Sequence, residues 1–148
     1  MENKITILGN PFRLEEDSYV GRLTIWGRET DVFIETEGGE ECEKFIRSRI
    51  DWLNANRDEI ITPFMEENDH MVEIVNEMIA KGDFKADAPI TEQEFEDALL
   101  VRYLSIIERG EETEFTLDLD AEPDYLLGHL GYMEIDSEYE VEFSGMNG

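Results

Sequence analysis

Acidic and apolar residues alternate one for one in two stretches near the end of this chain, and that alternation constrains its fold more than any other feature. Over residues 113–119, Phe115, Leu117 and Leu119 share one parity while Glu114, Thr116 and Asp118 share the other. Over residues 138–143, Tyr139, Val141 and Phe143 alternate with Glu138, Glu140 and Glu142 in the same way. A period of two sends successive side chains to opposite faces of an extended strand, so both stretches predict strands with one buried face and one acidic face. From Gly110 to the last residue there are 12 Asp and Glu and no Lys or Arg. Like charges facing each other across strands destabilise a sheet, so a partner that relieves the repulsion has something to gain.

The rest of the chain is read from the same periodicities. Residues 4–8, 19–26 and 31–36 are short β-rich runs separated by a turn at Asn10-Pro11 and by Gly27-Arg28-Glu29, which predicts three strands. After Gly38-Gly39 the period changes. Cys42, Phe45, Ile46, Ile50 and Leu53 fall at helical spacing, and a second apolar set runs from Ile60 to Ile79. Proline suits a first helical turn and costs about 3 kcal/mol in an interior, so Pro63 places the start of a new helix near Thr62. That helix is expected to end near Gly82. Thr91-Glu-Gln-Glu94 reads as a capping box opening a short helix through Phe95, Ala98 and Leu99.

Four more strands are expected over residues 102–107, 113–119, 126–135 and 138–143, with turns at Glu108-Arg-Gly-Glu111 and Asp136-Ser137. The sum is a single α+β domain over residues 1–148. Its antiparallel sheet has about seven strands, three N-terminal and four in a C-terminal meander, with two longer helices and one short helix inserted between.

Composition narrows the partners. Hydrophobic residues make up 41% of 148, enough for one core, so the acidity does not make the chain a disordered polyanion. The formal net charge is −26, of which residues 82–148 supply −16, from 19 acids and 3 bases. Nucleic acid and anionic membranes carry the same sign and are poor partners, whereas basic proteins and cations are good ones. Cys42 is the only cysteine, which excludes an intramolecular disulfide and a Cys-rich zinc site and fits a reducing cytoplasm. The first residues lack a signal-peptide pattern and no run approaches the ~20 apolar residues of a membrane span, so an intracellular protein is expected.

No catalytic motif stands out. His70 and His129 lie in unrelated elements, without the spacing of a helical metal pair. Residues 118–124 alternate acids like the start of a calcium loop, but Pro123 stands where that loop needs glycine and His129 where it needs a bidentate Glu. Gly38-Gly39 lacks the Lys and Ser or Thr of a phosphate loop. Catalytic residues, metal ligands and cofactors are therefore expected to be none.

The helix start Ile90-Thr-Glu-Gln-Glu-Phe95, the hairpin after it, the strand with Gly128-His129 and a terminal strand ending near Gly145 resemble a family of uncharacterised bacterial domains of unknown function. Small proteins of this kind are often encoded near polymorphic toxins, so the resemblance implies an immunity role. The leading expectation is a binding module that covers a basic surface on a partner such as a toxin or nuclease. Its contact residues would be Glu114, Asp118, Glu138, Glu140 and Glu142, provided that their two strands are neighbours in one sheet. One alternative is a small-ligand binder or enzyme with a cleft around His129. Another is an acidic housekeeping domain with no specific electrostatic partner.

Overall fold

Alternation of the two periods builds eight strands and four helices in a computed structural model that describes residues 3–147. The strands β1 (Lys4–Ile7), β2 (Asn10–Glu15), β3 (Ser18–Ile25) and β4 (Arg28–Thr36) precede the helices α1 (Glu43–Ala55), α2 (Arg57–Asn68), α3 (His70–Lys81) and α4 (Glu92–Asp97). The strands β5 (Leu99–Glu108), β6 (Glu114–Ala121), β7 (Leu130–Ile135) and β8 (Val141–Asn147) follow. All eight form one sheet in chain order. Every neighbouring pair is antiparallel except β4 and β5, which are parallel.

This corrects the expected seven-stranded antiparallel sheet in two ways. The additional strand is β2, which begins at the Asn10-Pro11 expected as a turn and runs on to Glu15. Pro11 pairs with Thr6 of β1, while the ladder to β3 begins only at Arg13, so on that side its missing backbone donor breaks no pairing. The parallel pair arises because β4 and β5 are joined by the whole helical segment and not by a hairpin. A crossover of that length returns the chain to the end where it started.

The helices also differ from expectation. Four are present, because the chain breaks at Asn56, where φ is −126°, and again at Asp69. Pro63 lies inside α2 and does not start it, so the carbonyl one turn earlier lacks its usual donor. Gly82 ends α3 in the left-handed region at φ +78°, with its N–H on the Ile79 carbonyl at 3.1 Å. The capping box forms: the Glu94 N–H donates to Thr91 Oγ1 at 3.0 Å and the Thr91 N–H to Glu94 Oε1 at 3.2 Å. The short helix stops at Asp97, and Leu99 already belongs to β5.

The helices cover one face of the sheet. Ile5, Phe12, Leu23, Val32, Leu104, Leu117 and Met133 point into that core, together with Ile46, Leu53, Ile60 and Phe64 from the helices. At Gly131 an added Cβ would meet a Phe64 ring carbon at 2.6 Å, so glycine is what lets α2 approach β7. Among the described residues nothing is layered over the opposite face. It carries residues of the other parity, among them Arg13, Arg22, Phe33, Tyr103, Asp118 and Glu134. Among the described residues no helix is long and apolar enough to cross a membrane.

Candidate functional site

The base-free end of the chain places its carboxylates by strand register. Thr116 on β6 pairs with Glu134 on β7, which pairs with Glu142 on β8, so these three share the open face with Glu114. Glu134 and Glu142 stand directly opposite each other, the arrangement of like charges that costs a sheet stability. Ser144 offsets part of that cost by donating its hydroxyl to Glu134 Oε2 at 2.8 Å. Beside them the β7–β8 loop brings in Asp136 and Glu140. Together Glu114, Glu134, Asp136, Glu140 and Glu142 line a groove of about 510 Å³.

The loop that carries two of those acids is held from below. Asp136 Oδ1 accepts the N–H groups of Glu138 at 2.9 Å and Glu140 at 3.0 Å, closing the turn with its own side chain. Tyr139, at φ +65°, turns inward and stacks 4.6 Å from the Trp52 ring of α1. Arg49, one helical turn before Trp52, lies over the Tyr139 ring with its guanidinium carbon 4.5 Å from the ring centroid. Its Nη1 donates to the Ser137 carbonyl at 2.8 Å and its Nη2 to the Glu111 carbonyl at 3.0 Å. Arg49 is 7% exposed and its Nε has no partner, so a buried cation is spent on two backbone carbonyls and neutralises no acid side chain.

Other arginines are committed in the same way. Arg57 donates to the carbonyls of Glu96 and Leu99 and lies 5.1 Å from the Trp26 ring. Arg102 reaches Asp120 at 2.9 Å and Glu122 at 3.2 Å, and Arg28 reaches Glu122 at 3.0 Å. Hydrogen bonds from Arg28 and Arg102 hold the Glu122 carboxyl below the usual carboxylate range. The calcium-like stretch is thereby occupied: Asp120 and Glu122 take arginines, and Asp124 accepts the Gly128 N–H at 3.0 Å. Among the described residues no three His, Cys, Asp or Glu side chains come together so as to hold a metal ion. The groove acids differ, since none of the five has an ion pair among the described residues.

Of the five residues singled out from the sequence, Glu114, Glu140 and Glu142 line the groove. Their strands are not neighbours, because β7 lies between β6 and β8. The acid that joins them is Glu134 on that intervening strand, with Asp136 just after it. The alternation Tyr132, Met133, Glu134, Ile135 was the signal for Glu134, visible once β7 is put between the other two. Glu138 is exposed on the loop outside the groove. Asp118 lies further along β6, between Tyr103 on β5 and Tyr132 on β7, where burial pushes its carboxyl up.

A second, larger hollow of about 680 Å³ opens at the carboxyl ends of β4 and β5. Thr36, Cys42, Phe45, Ile107 and Glu108 are among its lining residues. The Thr36 hydroxyl donates to Glu108 Oε1, and Glu108 Oε2 accepts the Gly110 N–H. Burial pushes the Cys42 thiol up to about 11, which keeps it protonated and unreactive near neutral pH. His129 is exposed after the turn that precedes β7 and lines neither hollow.

No family model, curated protein or solved structure matches this chain.

Proposed function

We propose that this protein is an acidic binding module that docks a basic protein surface into the groove between β6, β7 and β8. The observation that carries the reading is the division of labour among charges. Nearby arginines serve the frame or pair with Asp120 and Glu122, while the five groove acids have no ion pair among the described residues. A carboxylate cluster without its own counterions, three of its acids on strands and two on a loop held by Arg49 and Trp52, is preorganised for cations supplied by a partner. The charges would steer encounter, and complex formation would relieve the repulsion between Glu134 and Glu142. A toxin or nuclease with a basic active surface fits this chemistry, and an immunity role is the biological form that the resemblance implies.

The test is affinity capture from the native host with wild-type protein and a Glu134→Lys/Glu142→Lys variant as baits, in low and high salt. The expected result is a basic protein retained by the wild type, released as salt rises and lost with the variant. If the captured protein has nuclease activity, wild type should inhibit it and the variant should not. Equal retention by both baits would remove the groove from the argument.

A second reading is small-ligand binding. The hollow at the carboxyl ends of the parallel pair favours it, because chain connections diverge there and open sheets often bind ligands at such a point. That hollow gives the reading a different address from His129. A rise in Tm on adding metabolite fractions would support it, and an unchanged Tm would count against it.

A further inference from the structure

The two edges of the sheet are finished differently. β1 is closed by carboxylates from the start of the helical segment. The Thr6 N–H donates to Glu40 Oε1 at 3.3 Å, and the Leu8 N–H, just past the strand, donates to Glu43 Oε2 at 2.9 Å. The apolar residues of β1, Ile5 and Ile7, are buried. Cover of this kind takes up the free donors with which an edge strand recruits another chain.

The outer edge of β8 lacks such cover. The Asp136 N–H donates to the Glu140 carbonyl at 3.1 Å, and opposed residues of an antiparallel pair alternate between bonded and non-bonded. Counting on from that pair, Glu142 bonds Glu134, while Val141 and Phe143 turn their N–H and C=O groups away from β7. Among the described residues nothing bonds those outward groups. The register shifts after Phe143, so the regular free edge runs over residues 141–143. β8 holds no Lys or Pro, the residues that commonly blunt an edge. Its apolar side chains Val141, Phe143 and Met146 are only partly buried, although Phe64 of α2 meets Phe143 with ring centroids 5.5 Å apart.

We propose that the free edge of β8 is a strand-addition site, on which an extended segment of the basic partner lies antiparallel to Val141 and Phe143 as an added strand. The proposal rests on the groove reading, and it names how the partner's chain is held beside the groove. Directly opposed residues of an antiparallel pair share a face. The occupant therefore carries Lys or Arg at alternate positions, beside Glu142 and Glu140 on the open face. Between them it carries apolar residues, beside Val141 and Phe143 on the helix face. Its pattern is the complement of the acid and apolar alternation of β8 itself.

Charge selects this occupant. No Lys or Arg follows Arg109 in the chain, and Arg49, beneath the β7–β8 loop, is spent on backbone carbonyls. The helix packed on β8, α2, carries Asp58, Glu59, Glu66 and Glu67 against Arg57 alone, which is tied to the carbonyls of Glu96 and Leu99. A second copy is disfavoured, because pairing β8 with another β8 sets acidic strand beside acidic strand in molecules of charge −26.

The experiment uses the full chain and two capped peptides of about eight residues, each alternating lysine and valine. One is N-methylated at its lysine amides, which leaves free the valine amides that would bond β8. The other is N-methylated at its valine amides, so it has the same charge and cannot pair. Calorimetry near physiological salt should show the second binding at least about tenfold more weakly than the first. Amide hydrogen exchange in the first complex should slow by at least about tenfold at Val141 and Phe143, whose N–H groups point outward in the free protein. Equal binding of the two peptides, no binding of either, or unchanged exchange at both amides overturns the proposal. So does protection that grows with protein concentration in the absence of peptide, which would assign the edge to a second copy. None of these outcomes decides the groove reading, which stands or falls on capture by the Glu134→Lys/Glu142→Lys bait.

Discussion

Replacing Arg49 by Met tests whether one buried cation holds the acidic loop in place. The substitution keeps most of the stem's volume and removes the guanidinium. Lost are two charge-assisted hydrogen bonds, to the carbonyls of Ser137 and Glu111 at 2.8 and 3.0 Å, together worth about 3 kcal/mol at the lower end of their range. The stacking on Tyr139 at 4.5 Å adds about 1 kcal/mol. Against this stands the relief of a buried guanidinium whose Nε is unsatisfied, which returns about 1 kcal/mol. The net loss is about 3 kcal/mol, or a fall in Tm of about 6–12 °C for a domain of this size. Thermal unfolding followed by circular dichroism measures the first quantity. Hydrogen exchange measures the local one: the amides of Glu138 and Glu140, now bonded to Asp136, should exchange faster than in wild type at temperatures well below Tm. A variant that unfolds within about 0.5 kcal/mol of wild type and keeps both amides protected would refute the idea that Arg49 secures the loop.

Asp118→Asn should stabilise the protein at neutral pH, as read by Tm at low protein concentration. Burial raises the folded-state pKa of Asp118 above its unfolded value, so the ionised form penalises the fold above the raised pKa, and the penalty fades as pH falls through it. The gain should therefore shrink in acid, and a constant gain at every pH would point to another cause. Gly131→Ala forces a Cβ to within 2.6 Å of Phe64 and should cost about 1–3 kcal/mol in denaturant unfolding, whereas no loss would mean that α2 shifts freely. Thr91→Ala removes the hydroxyl of the capping box and should cost about 1 kcal/mol, with Thr91→Ser restoring most of it.

Local signals were legible where the responsible residues are close in sequence. The Thr91 capping box and the Gly82 stop each depend on a few neighbouring residues, and both appear in the structure where the residues called for them. The missed strand β2 is the converse. Its ladder is supplied by β1 and β3, so a short run containing Pro11 becomes a strand through its neighbours and not through its own propensity. Pro63 misled for a related reason. The core contacts of Ile60, Ile61 and Phe64 hold α2 helical through the proline, and packing outweighs the local cost. The candidate site was legible in part: alternation identified Glu114, Glu140 and Glu142, whereas the groove exists because Glu134 comes between them.

What the sequence determined by itself is the amphipathic character of each segment, including the acidic face of β6 and the absence of bases after Arg109. A period of two or of 3.6 is a property of consecutive residues, and so is net charge. Which strands lie side by side, that β4 meets β5 in parallel, which acids find arginines and which remain unpaired were decided only in the tertiary structure. Those outcomes depend on contacts between residues far apart in the chain, such as Arg49 with Ser137 or Arg28 with Glu122. No local pattern encodes them, because their partners become neighbours only when the sheet closes over its single core.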